Sequence, residues 1–167
     1  MVPASAQLIE TLQVGGAENL AVSIANSLAA TGGSAHLIVT GGPGPLSAKV
    51  SPEVTTHYLD FVRPPITQPF RFLQALRRQG GRLAGIVDRH RISVIQSHLP
   101  GANFWGLYLT LRRVATVVAT VHNNEEFNYN TTHRIPRDRL RKAAYRQIVQ
   151  RCAGVIAVSE DVKPSLI

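Results

Sequence analysis

The sequence predicts an α/β fold: an open parallel sheet with helices on both faces. Two observations carry this. Runs of nearly continuous Val, Ile and Ala character, such as "SAHLIVTGG", "ISVIQSH", "ATVVATVHN" and "AGVIAVSE", alternate with longer segments of helical periodicity. Strands that are apolar on both faces belong to sheets covered on both sides, and helical crossovers between them make the sheet parallel. Several runs also end in glycine or polar residues, and in such a sheet ligands gather beyond the carboxyl ends of the strands.

In chain order, "AQLIETL" at 6–12 reads as a short strand that ends just before Gly15 and Gly16. "AENLAVSIANSLAATGG" follows, with Leu20, Ile24 and Leu28 at fourfold spacing and Ala21, Ala25 and Ala29 beside them. This is a helix packed closely on something flat, stopped by Gly32 and Gly33. Residues 34–42 form the second strand, the Gly/Pro-rich "GGPGPLS" is a loop, and 53–61 is a third strand. The prolines of "VRPPITQPF" exclude regular structure there. A helix resumes over 71–90, with Phe72, Leu76, Leu83 and Val87 facing inward and Gly80–Gly81 weakening its middle. Strands at 92–98, 115–123 and 153–160 then alternate with helices at 101–113 and 137–152. Connections are expected to be right-handed.

At 167 residues the chain suits one domain with a sizeable core. The single Cys152 excludes an internal disulfide and reads as a small buried filler. Neither a secretory signal nor an apolar run long enough to span a membrane is visible, so a cytoplasmic protein is expected. The "NTT" at Asn130 has the form of a glycosylation acceptor, a pattern too short to mean much without secretion. The formal charge of +8 is concentrated in arginines, above all in "HRIPRDRLRKAAYRQIVQR" at 133–151. Such charge favours phosphate-bearing partners. The helix reads as a wet basic face or as a surface for peripheral contact with an anionic membrane. Nucleic acid is disfavoured, because no aromatics are interleaved to stack bases.

The candidate site residues lie at strand ends. Gly15–Gly16 has two readings: a tight strand-to-helix turn, or a cradle in which phosphate or sugar oxygens approach amides at the positive end of the next helix. Neither a P-loop nor the G-x-G-x-x-G dinucleotide pattern is present. Glu18 either complements the helix dipole or orients a substrate hydroxyl. His98 and His122 each close an apolar strand, where an imidazole is either structural or donates to a ligand. The loop "NNEEFNYN", with Asn123, Glu125, Glu126, Phe127 and Tyr129, is either solvated or grips an acceptor. No His/Cys/Asp group has metal-ligand spacing, so no metal is expected, and no G-x-S-x-G nucleophile elbow occurs.

Four stretches, "GGAENLAVSIANSLAATGGSAHLIV", "VIQSHLPGANFWGLYL", "VVATVHNNEEF" and "GVIAVSEDVKPSL", resemble in order and spacing the amino-terminal domain of family 4 retaining glycosyltransferases. The resemblance implies a Rossmann-like domain over 1–167, the amino-terminal, acceptor-side half of a GT-B architecture. It implies transfer of a sugar from a nucleotide-sugar to a lipid-linked or cell-envelope saccharide, with retention and with neither metal nor other cofactor. Gly15 and Gly16 would lie near the donor diphosphate and sugar, and His122 near the transferred sugar as the catalytic candidate. Glu18, His98, Asn123 and Glu125 would border the acceptor cleft, and Ser159 and Glu160 would begin the last helix. The family's carboxyl-terminal nucleotide-binding domain, with its paired-glutamate motif, is absent from the sequence, so the chain is expected to hold half an active site. The rival expectation is a non-catalytic basic domain that docks to a membrane surface or a partner protein.

Overall fold

A computed structural model describes residues 3–65, 67–123 and 135–162, with side chains from 142 onward in the last stretch. Six strands, β1 (Ala4–Ile9), β2 (Ala35–Val39), β3 (Thr55–Tyr58), β4 (Ile92–His98), β5 (Thr116–Val121) and β6 (Gly154–Ala157), alternate with four helices. The helices are α1 (Gly16–Ala30), α2 (Pro69–Arg89), α3 (Leu99–Leu111) and α4 (Ile135–Arg151). The strands pair in the order β3-β2-β1-β4-β5-β6, every pair parallel. This is the Rossmann-like order, with its reversal between β1 and β4, where a crevice opens because the following helices leave on opposite faces.

Alternation along the strands sorts the core into two layers. Ile9, Leu37 and Val39 pack under Ala21, Val22 and Ala25 of α1. On the other face Leu8, Ile38, Ile95 and Val117 meet Leu83 and Val87 of α2 and Ala102 and Leu109 of α3. Ala119 and Val121 continue that layer under Tyr145 and Ile148 of α4. On the side of α1 the cover stops short of β4 to β6, where Val94 and Ile156 are 37% and 43% exposed.

Small residues set how closely two helices pack. In α1 the buried residues are Ala17, Ala21, Val22 and Ala25, whereas Leu20 is 39% exposed. The alanine stripe lets the helix sit close to the sheet, and the leucines are turned to its flank. In α2, Gly80 packs directly against α3, because a Cβ there would come within 2.6 Å of the Tyr108 ring. The glycine is what lets the two helices touch. The Gly/Pro-rich loop contains a 3-10 turn, Pro45–Lys49, and Gly44 passes so close to Leu12 that a Cβ would lie 2.5 Å from its carbonyl oxygen. Cys152 is half-buried beside Thr110, and burial pushes its thiol pKa up, as suits a packing residue.

Candidate functional site

The crevice is built where β1 and β4 end. Beyond Ile9 the chain runs through Glu10 and Leu12 into Gly15, an extended residue (φ −159°) that caps α1 without any side-chain hydrogen bond. Asn19 closes the first turn by donating both its backbone N–H (3.0 Å) and its Nδ2 (2.8 Å) to the Gly15 carbonyl. The two glycines serve different ends. A Cβ on Gly15 would run into the Glu18 carboxylate, which folds back over the turn and accepts from Thr11 Oγ1 at 3.3 Å. A Cβ on Gly16 would meet no atom within 4 Å, and Gly16 is exposed. No contact among the described residues requires a glycine at that position, which lies at the positive end of α1.

His98, the last residue of β4, has no exposed surface. Its Nε2 lies 2.7 Å from Oε1 of Gln7, a buried residue of β1. Its Nδ1 lies 3.2 Å from Nε2 of His122, just beyond β5. Burial, reinforced by His122, lowers the His98 pKa to about 4, so the ring is neutral at pH 7. An amide oxygen only accepts, so the single ring proton sits on Nε2 and Nδ1 is an acceptor. His122 must then donate from its own Nε2, which leaves Nδ1 as its acceptor atom. Burial lowers the His122 pKa as well, while the nearby Glu18 carboxylate raises it. Gln7, His98 and His122 thus form one hydrogen-bonded line, with the Glu18 charge near its His122 end and both strand-end histidines on the face of the sheet that carries α1.

The fold therefore brings Gly15, Gly16, Glu18, His98 and His122 to one carboxyl edge. His98 is sealed beneath the surface, with one ring nitrogen engaged by Gln7 and the other by His122. Asn123 is exposed beside His122. Glu125 and the rest of its loop lie outside the described residues. Ser159 and Glu160 are exposed beyond β6 in a turn, with Val162 N–H donating to the Ser159 carbonyl at 3.1 Å.

Sequence reasoning missed three participants. Gln7 was the signal available, a polar residue inside an apolar run. Asn103 on α3 is fully buried, accepts from Ser97 Oγ at 2.7 Å and donates to the Thr120 carbonyl at 3.0 Å, which ties the helix to β4 and β5. Glu10 lies across the start of α3, where a Cβ on Gly101 would collide with its carboxylate. Between them Leu99 takes a left-handed conformation (φ 69°), which is strained for a leucine and turns the chain sharply after His98. Away from this edge, an apolar groove of about 540 Å³ lies between α2 and α3, lined by Leu73, Leu76, Trp105 and Tyr108 with Arg77 and Arg112 at its margins. The spacing of the histidines also concealed a cluster: His36, His57 and His90 converge from three separate elements.

The sequence model of Glycosyltransferase Family 4 matches residues 14–167, nearly the whole chain. The chain belongs to glycosyltransferase family 4. No curated protein matches its sequence. Among solved structures, the family 4 chain is similar to HepE of Anabaena, a structure in complex with UDP, with a TM-score of 0.71 at 15% identity over 98% of this chain and 40% of HepE. It is also similar to sucrose-phosphate synthase of Thermosynechococcus elongatus, with a TM-score of 0.73 at 17% identity over 98% of this chain and 44% of the synthase. These are GT-B enzymes, and the family 4 chain has the fold of one of their Rossmann-like halves while spanning less than half of their length.

Proposed function

We propose that this family 4 domain is the acceptor-side wall of the cleft of a retaining glycosyltransferase, which moves a sugar from a nucleotide-sugar to a lipid-linked or cell-envelope saccharide. The observation that carries this reading is that exposed Gly16, at the positive end of α1, and His122, whose charge state responds to Glu18 of the same helix, lie at one carboxyl edge of the sheet. Amides at the start of α1 would receive the donor diphosphate and the negative charge that grows on it as the glycosidic bond breaks. His122, held in one tautomer through His98, would accept from a hydroxyl of the transferred sugar at Nδ1. Glu18 and Asn123 would contact the acceptor. No metal is required of these groups, since the helix terminus supplies positive potential. HepE was solved with UDP, which supports a uridine nucleotide as the first donor to try.

A second, nucleotide-binding domain is part of the proposal, because the opposite wall of such a cleft holds the leaving nucleotide. The purified chain alone should then turn over no nucleotide-sugar, and joined to a nucleotide-binding half it should do so. Turnover by the isolated chain would contradict this division. In the two-domain protein, His122→Ala should lower kcat by at least 10-fold. No helix among the described residues is long and apolar enough to cross a membrane. Lys142, Arg146 and Arg151, exposed along α4, favour peripheral contact with anionic lipid on the cytoplasmic side. Sedimentation with vesicles should depend on phosphatidylglycerol content and fall with salt.

A further inference from the structure

His36 is the second residue of β2 and is 4% exposed. His57 lies on β3 with Ile38 as its register partner, so both histidines project from the face that carries α2. His90 follows Arg89, the last residue of α2, and is fixed there by its N–H donating to the Ile86 carbonyl at 3.1 Å. The three rings surround one point, with centroids 4.7–5.4 Å apart. One ligand nitrogen from each lies within 4.8 Å of the other two.

We propose that His36, His57 and His90 bind a divalent transition metal, with zinc the best fit, on the opposite face of the sheet from the His98–His122 pair. Zinc–nitrogen bonds of about 2.0–2.1 Å in a tetrahedral site place the ligand nitrogens about 3.3 Å apart. The His36 Nδ1 to His57 Nε2 separation is already 3.2 Å. His90, half-exposed at a helix end, needs to close by no more than about 1.5 Å to complete the triangle, a side-chain adjustment. Ser34 Oγ stands 3.3 Å from His36 Nε2 and can accept its proton, which leaves Nδ1 as the coordinating atom. A hydrogen bond at the outer nitrogen, more often to a carboxylate, a backbone carbonyl or water, fixes the tautomer of a metal-bound histidine.

The charge state agrees with the geometry. Burial, with His90 and His36 nearby, holds His57 down at about 4, and burial with His90 lowers His36 too. Neutral imidazoles present lone pairs to a cation. Three nitrogens and no carboxylate suit zinc, copper, nickel or cobalt rather than magnesium or calcium. The fourth position would fall to water. Such a site would staple the four-residue edge strand β3 to β2 and to the end of α2.

The test uses the chain without a polyhistidine tag, dialysed against chelator and titrated with cobalt(II) and zinc. One equivalent of cobalt should give visible bands of a tetrahedral site, zinc should displace it, and saturating zinc should raise the unfolding midpoint by several degrees. His90→Gln, at a half-exposed helix end, and His57→Gln should each weaken binding at least 10-fold, while His122→Gln should leave it unchanged. Absence of a stoichiometric cobalt signal overturns the proposal and leaves a stacked structural trio. So does binding that survives both variants or is lost with His122→Gln.

Discussion

His122 donates its Nε2 proton to Nδ1 of His98 across 3.2 Å, and His98 in turn donates from Nε2 to Gln7 Oε1 at 2.7 Å. A fully buried imidazole with both nitrogens committed is a support for its neighbour, and the half-buried end of the line is His122. His98→Ala removes the ring and leaves buried Gln7 without this partner. It should cost about 2–4 kcal/mol in urea denaturation. In spectra of the ring nitrogens, His122 should lose its fixed tautomer in this variant, which a mere loss of packing would not cause.

The histidines also set an acid limit. The pKa values of His36, His57, His98 and His122 are lowered on folding, to about 4 for His98 and His57. The unfolded chain, with histidines near 6.5, therefore binds more protons between pH 6.5 and about 4. Stability from these groups is fully present above pH 6.5 and is lost as pH falls through that window. Each contributes a slope of up to about 1.4 kcal/mol per pH unit there, less for half-exposed His57. Denaturation midpoints measured from pH 7.5 to 4.5 should fall steadily. Replacement of His57 by Gln should flatten the curve.

Neighbouring glycines in α2 should respond in opposite directions. Gly80→Ala drives a methyl into the Tyr108 ring and should cost about 1–3 kcal/mol. Gly81→Ala meets no atom within 4 Å and should stabilise the helix by about 0.5–1 kcal/mol. Thermal melts of the two single variants check this. Tyr108→Leu should recover part of the loss from Gly80→Ala.

The order of strands and helices was legible because parallel strands, buried on both faces, stand out as nearly continuous apolar runs such as Ala35–Val39. The inward face of α1 was not, since Leu20 and Ala21 compete for it and only the helix-to-sheet distance decides in favour of alanine. The position of His98 and His122 at strand ends followed from the pattern. Their division of labour did not, because it depends on Gln7, 91 positions from His98. The His36–His57–His90 cluster was invisible for the same reason: its members are separated by a strand register and a whole helix.

On the proposed function, the Gly15–Gly16 turn and His122 face one ligand. Titrating UDP, then UDP-sugars, into isotopically labelled chain and following the backbone amide spectrum tests it most directly, because weak binding to half a cleft still moves resonances. Shifts should concentrate at Gly15, Gly16, Glu18 and His122 and be lost with Gly16→Val in a chain that remains folded. Shifts centred on the groove beside Trp105, or none at millimolar nucleotide, would contradict it.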